Sequence, residues 1–264
     1  MELPFTKQQT YIDEFNSNDY YDTYYAPGKG LLIEEWMEFA LKKLHETFTS
    51  GGVEGDTLID IGSGPTIYQL LSACEVFKNI IISDFLPQNL MEIHKWLKKD
   101  HGAFDWSLAV KSVCEMEKNS NNCQKKEEKL RQTVKQVLQC DALKKDPLEP
   151  HVVPPVDCLL SCLCLEAACK DLETFYSALK NLRTLIKPGG HIVLLSVLNA
   201  TFYYVGNKTF SSLCVTKEDL EKALIETGYQ IEKIEVTSQL GQEDKDFSNY
   251  DSHYYVHARK PHDS

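Results

Sequence analysis

Residues 57–68, Thr57-Leu58-Ile59-Asp60-Ile61-Gly62-Ser63-Gly64-Pro65-Thr66-Ile67-Tyr68, constrain this chain more than any other stretch. A short apolar run (Leu58, Ile59, Ile61) breaks into a glycine turn and then into a segment with helical spacing. That order opens a doubly wound α/β unit, whose ligand lies at the carboxyl ends of the strands. Gly62 and Gly64 lack a Cβ, so backbone can lie against a ligand there. A dinucleotide fingerprint would place a third Gly or Ala at position 67. This chain has Ile67 instead, and Pro65 removes one amide donor. The turn therefore suits a nucleoside-sized ligand without a pyrophosphate. Asp60, two residues before the first glycine, offers a carboxylate to a cationic amino-acid portion. Together these features point to S-adenosylmethionine; the plainer alternative is a tight turn in any α/β protein.

At 264 residues the chain suits one α/β domain with an extension. Its formal net charge of −11 argues against nucleic acid or an anionic membrane as partner, since both reward basic surface. No apolar run approaches the roughly 20 residues that a membrane span needs. The first residues, Met1-Glu2-Leu3-Pro4-Phe5, lack the basic start and apolar core of a signal peptide. Nine cysteines, an odd number, then read as reduced thiols of a cytoplasmic protein.

Residues 1–50 are rich in aromatics, and Ile33 to Phe48 has the spacing of an amphipathic helix that Gly51-Gly52 stops. A helical cap here would cover the cofactor face; the alternative is a helix packed on the outer side of the sheet. Ile80-Ile81-Ile82-Ser83-Asp84 reads as a second strand, and Asp84 falls where this fold class places a carboxylate on ribose hydroxyls. Asn89 to Lys99 reads as a helix, and residues 100–123 show no clear period, as expected of an insertion within 100–130. Val134 to Leu138 leads into Cys140-Asp141-Ala142, and Asp157 to Leu165 reads as a buried central strand followed by Glu166. A helix from Leu172 to Leu185 runs to Lys187-Pro188-Gly189-Gly190 and a strand from His191 to Leu198. Thr216, with Asp219 three residues on, caps a helix that ends at Gly228. Gln230 to Val236 and Tyr254 to Arg259 read as closing strands. The order predicts an α/β fold with a mostly parallel sheet of seven strands, one of them antiparallel.

Asp60, Asp84 and Asp141 each follow or end a predicted strand on one sheet edge, which with the glycine turn makes a nucleoside site. Cys158, Cys162 and Cys164 alternate on the central strand without the short loop spacings of a zinc site, and read as buried thiols. No metal site is expected. Glu166 is the acid nearest the mouth of the central strand; a carboxylate at a helix N-terminus is its structural alternative. Ser196, Tyr203, Tyr204, Ser211 and Ser212 follow the fifth parallel strand and could line an aromatic pocket.

The run Asp60-Ile61-Gly62-Ser63-Gly64-Pro65-Thr66-Ile67-Tyr68-Gln69-Leu70 closely resembles the cofactor loop of the small-molecule N-methyltransferases for nicotinamide, indolethylamines and phenylethanolamine. So do Phe5-Thr6, Asp19-Tyr20, Tyr24-Tyr25, Trp96-Leu97-Lys98-Lys99, Phe104-Asp105-Trp106, Glu127-Glu128-Lys129-Leu130-Arg131 and Leu185-Ile186-Lys187-Pro188-Gly189-Gly190. The resemblance implies a monomeric, cytosolic, Rossmann-like class I methyltransferase that uses S-adenosylmethionine, with an N-terminal helical cap. It also implies that Tyr20 and Tyr25 close on the methionine portion, which Gly62, Ser63, Gly64 and Tyr68 hold. By the same resemblance Asp84 and Asn89 serve the ribose, and Asp141 and the Ala142 backbone serve the adenine. Cys162 falls near the sulfonium, where the nicotinamide enzyme has threonine.

The acceptor side departs from that pattern. Ser196 stands where the nicotinamide enzyme has an aspartate, Ala200 replaces a serine and Gly241 a late tyrosine, while Tyr203 and Ser212 match. Glu166 resembles the glutamate of the phenylethanolamine enzyme. A pyridine nitrogen already carries a free lone pair, whereas an aliphatic ammonium must lose a proton. Tyr20 and Glu166 are thus the candidate catalytic residues, and Ser196, Tyr203 and Ser212 the candidate acceptor contacts. The expected activity is methyl transfer to the nitrogen of a small aromatic or arylalkyl amine. Rival readings are a nicotinamide enzyme proper, a catalytically weak cofactor-binding or amine-binding protein, and an NAD oxidoreductase, the last disfavoured by Pro65 and Ile67.

Overall fold

A computed structural model describes residues 4–28, 35–119, 122–237 and 247–262. Seven strands form one sheet: β1 (Gly55–Ile61), β2 (Phe77–Asp84), β3 (Val134–Gln139), β4 (Val156–Cys162), β5 (Ile186–Leu198), β8 (Gln230–Val236) and β9 (Ser252–Arg259). Their order is β3-β2-β1-β4-β5-β9-β8, and only β9 runs antiparallel to its neighbours. The order reverses between β1 and β4, so a crevice opens beyond their carboxyl ends. β1, β2 and β4 are apolar because both faces of the sheet are covered. On one face α3 (Glu35–Thr49), α4 (Pro87–Lys98), α5 (Ser107–Met116) and α6 (Cys123–Thr133) pack around Trp36, Leu44, Phe48, Ile93 and Val110. The other carries α7 (Leu165–Ala168), α8 (Leu172–Thr184) and α9 (Lys217–Glu226), around Phe175, Leu179, Leu182 and Leu224. The capping box at Thr216 and Asp219 forms as the spacing predicts.

Three elements depart from the sequence expectation. The segment after the glycine turn is two short 3-10 turns, Tyr68–Leu70 and Ala73–Glu75, rather than an α-helix. Thr66 Oγ1 donates to Ser63 O, and Gln69 Nε2 donates to Thr66 O, so side chains compete for the carbonyls a helix would use. The stretch read as an insertion without period contains α5, and α6 follows it directly. Phe202–Val205 and Lys208–Ser211, for which no strand is expected, pair as the hairpin β6–β7. The helix expected from Ile33 is described from Glu35, and Gly241 lies outside the described residues.

Candidate active site

A cavity of about 200 Å³ lies over the carboxyl ends of β1, β2, β4 and β5. Its floor is the glycine turn. Gly62 has φ 70° and a Cβ there would collide with Cys164 Sγ, while Gly64 has φ 60° and faces the Tyr20 ring. Gly62 therefore admits no side chain, and Gly64 takes a backbone conformation that glycine adopts without strain. Asp84 holds the turn in place: Oδ2 accepts from Gly64 N at 2.8 Å, and Oδ1 accepts from Leu86 N at 2.8 Å and Asn89 Nδ2 at 3.0 Å. Burial raises the Asp84 pKa, and those three donors oppose the rise. Asn89 Oδ1 accepts in turn from Ser17 Oγ at 2.7 Å, which carries the network into α2 (Ser17–Tyr24).

Asp60 sits behind the cavity wall rather than on it. Its Oδ2 accepts from Gln69 Nε2 at 2.8 Å, its Oδ1 has no hydrogen-bond partner, and burial pushes its pKa up to about 7. It braces the turn, contrary to the direct contact expected of it. An orphaned buried carboxylate oxygen is nonetheless a partner for cationic charge close above it. Asp141, at the far wall beside Ala142, accepts from Leu143 N and from Gln8 Nε2, each at 3.0 Å.

Residues 4–28 roof the cavity, whereas α3 packs on the sheet and reaches the cavity through Trp36. The α1 helix (Gln8–Glu14) and α2 are clasped to the β6–β7 hairpin: Thr6 and Ser211 exchange bonds of 2.7 and 2.8 Å. Tyr11 and Tyr203 hydroxyls meet at 2.7 Å, and Tyr24 donates to Tyr204 O. Tyr20 and Tyr25 hydroxyls are 3.4 Å apart, and Tyr68 accepts from Trp36 Nε1 at 2.9 Å. Burial pushes the Tyr20 hydroxyl up to about 12 and holds those of Tyr25 and Tyr68 well above the usual phenol range. These phenols therefore act as neutral hydrogen-bonding groups.

At the other end Glu166, buried at the start of α7, accepts from Ser196 Oγ at 2.9 Å and from Tyr254 Oη at 2.5 Å. Burial raises its pKa, and the two hydroxyl donors pull it back. Ala200, Tyr203 and Ser212 line this end, as do Phe247, Ser248 and Tyr250, which sequence reasoning missed. Cys140, Cys162 and Cys164 also border the cavity. Leu163 between them takes φ 52°, a conformation unfavourable for its branched side chain and kept where surroundings enforce it.

A family model described as "NNMT/PNMT/TEMT family" matches residues 2–261. The chain belongs to that family. It is 53% identical to nicotinamide N-methyltransferase of Sus scrofa over 240 residues, covering 90% of this chain and 91% of that protein. It is 50% identical to indolethylamine N-methyltransferase of Oryctolagus cuniculus over 235 residues, covering 89% of each. Among solved structures, magnesium protoporphyrin IX methyltransferase of Synechocystis PCC 6803 with bound SAH superposes with TM-score 0.57 at 13% identity. That likeness covers 96% of this chain and all of the other, and shows the fold. The family member described here is thus an S-adenosylmethionine-dependent methyltransferase with a Rossmann-like sheet. No described helix is long and apolar enough to cross a membrane.

Proposed function

We propose that this family member methylates the nitrogen of a small arylalkyl amine, in the manner of its indolethylamine relative, and that nicotinamide is a poor acceptor. The carrying observation is the acceptor end of the cavity. A buried carboxylate, Glu166, stands there beside a neutral Ser196, where a carboxamide would want a charged acceptor. A hydrogen bond to a charged acceptor contributes roughly 1.5–3 kcal/mol, against 0.5–1.5 for a neutral one.

S-adenosylmethionine, when bound, supplies the activated methyl group for in-line displacement. Asp84 and Asn89 suit its ribose, and Asp141 with the Ala142 backbone its adenine. Gly62, Ser63, Gly64, Tyr68, Tyr20 and Tyr25 suit the methionine portion, with the orphaned Asp60 oxygen behind them and Cys162 near the sulfonium. Tyr203 and Ser212 flank the acceptor. The protein's own work is to align the acceptor, exclude water beneath the aromatic roof and remove the acceptor's proton. The chain acts as one methyltransferase domain, capped by residues 4–28 and carrying an insertion at 100–130. It works as a cytoplasmic monomer without nucleic acid, membrane or metal partners, and the thiols on its cavity wall suit a reducing compartment. Incubation with methyl-labelled cofactor and a panel of nicotinamide, tryptamine, other amines and thioethers tests this. Label should appear in N-methylated amines; label only in thioethers, or in none, would reject it.

A further inference from the structure

Tyr254 lies outside every motif of the cofactor loop and does not line the cavity. It sits directly opposite Ser196 across the antiparallel β5–β9 pair, so both side chains leave the sheet on the same face, a few ångströms apart. Glu166 drops between them from the start of α7, held there by Leu213 N donating to its carbonyl at 2.7 Å. All three side chains are at most 4% exposed. The hydroxyl of Ser196 gives its hydrogen to Glu166 Oε2 at 2.9 Å, so its oxygen lone pairs remain for an incoming N–H. The other carboxylate oxygen is bonded by Tyr254, whose phenol is not part of the cavity lining.

We propose that Ser196 and Glu166 form a two-member proton relay for a bound ammonium, with Tyr254 as the positioning residue that keeps Glu166 ionised, aligned and aimed at Ser196. The proposal deepens the amine reading above and rests on it. An alkyl ammonium resembles the lysine side chain, with a pKa near 10.4, so on the order of one molecule in a thousand is free base near pH 7.4. In the relay an N–H bond of the ammonium breaks and its proton passes to Ser196 Oγ. The Ser196 hydrogen passes to Glu166 Oε2, and the N–H electron pair stays on nitrogen as the lone pair. Ammonium and carboxylate become amine and carboxylic acid, with charge conserved. Oε1 keeps its bond from Tyr254 throughout, because burial holds that phenol protonated. The other titratable groups facing Glu166 are Cys162 on β4 and Cys164 and Cys169 flanking α7. Burial keeps all three as neutral thiols, so no neighbouring charge competes.

The test uses the full-length protein with carbon-13-labelled glutamate carboxyls, titrated by NMR without any acceptor. Tyr254→Phe, which removes one hydroxyl and little volume, should raise the Glu166 midpoint by about one pH unit. The acid limb of kcat/KM for tryptamine should move up by the same amount. Methylation of a pyridine acceptor, which has no proton to lose, should stay within about two-fold in that variant. Ser196→Ala should lower kcat for tryptamine by about ten-fold or more, and Ser196→Thr, which restores a hydroxyl, should recover most of it. An unchanged carboxyl midpoint in Tyr254→Phe, or equal losses with amine and pyridine, would overturn the proposal. Because the titration needs no acceptor, a wild-type protein that methylated no amine would reject the functional reading while the carboxyl midpoint still decided the role of Tyr254.

Discussion

At the cofactor end of the cavity Asp84 draws its three donors from residues 2, 5 and 20 positions away in the chain. At the acceptor end Glu166 draws its two from residues 30 and 88 positions away. The first constellation is built by one strand–turn–helix neighbourhood and is bonded to backbone N–H groups as well as side chains. The second exists only because three separate elements meet. The difference teaches where change is tolerated. A substitution at Asp84 breaks the turn itself, whereas Ser196 and Tyr254 can change without unmaking the sheet that carries them.

The largest expected effect follows from that difference. Asp84→Ala strands Gly64 N, Leu86 N and the Asn89 amide and removes the acceptor proposed for the ribose, at a cost of about 1–3 kcal/mol for each unsatisfied buried group. S-adenosylmethionine binding, read by calorimetry, should weaken about ten-fold or more, and the melting temperature of the ligand-free protein should fall as well. Unchanged values for both would place the ribose elsewhere.

Ser196→Asp should act on selectivity and not on the cofactor. The new carboxylate would lie against Glu166 Oε2, and two adjacent acids share one proton. Specificity for nicotinamide over tryptamine should rise by about one order of magnitude, with S-adenosylmethionine affinity preserved. A loss of cofactor affinity here would erase the division between the two ends of the cavity.

How much of this was legible follows the same line. The strands β1, β2, β4 and β5 announce themselves as short apolar runs ending in acids or turns, and Thr216 with Asp219 announces a helix start. Asp84 and Asp141 could be read as site residues because local fold rules place acids at strand ends. The β6–β7 hairpin carried a signal that was passed over, a Gly206-Asn207 pair between β-prone runs. Tyr254 carried none, since the register that sets it opposite Ser196 is fixed by packing along β9 and not by any local motif. Phe247 and Tyr250 reach the cavity only because the chain before β9 folds back over the hairpin, where Tyr204 N donates to Phe247 O. Asp60 was legible as an acid beside the turn, but its place behind the wall depends on Gln69 reaching back to it.

Smaller effects separate roof from frame. Tyr20→Phe removes one side of a 3.4 Å contact with Tyr25 and little packing, so the melting temperature without ligand should barely move while turnover falls several-fold. A loss mainly of thermal stability would make α2 a structural cap and not a closing element.

The least effect on the site is expected from the far end of the β5–β9 pair, away from the cavity. There His191 Nδ1 and His257 Nε2 meet at 2.8 Å, and burial lowers both rings to about 4. The unfolded chain takes up protons near pH 6.5 that the folded pair excludes, so folding stability falls as pH drops from 6.5 towards 4. The slope is at most about 1.4 kcal/mol per pH unit for each ring. Denaturant unfolding across that range should show a shallower fall in His191→Gln, with cofactor affinity at neutral pH unaffected. An equally steep fall in the variant would clear the histidine pair of the acid sensitivity; the buried acids Asp60 and Glu166, whose pKa burial raises, act in the opposite direction.

The central claim, that the acceptor end is built for an amine, is tested most directly by specificity constants of the unmodified protein for tryptamine and nicotinamide, measured side by side with labelled cofactor. The arrangement of Glu166, Ser196 and Tyr254 predicts kcat/KM higher for tryptamine by about ten-fold. A value for nicotinamide above those of all amines tested would contradict it, and would mean that a group other than Ser196 grips the carboxamide.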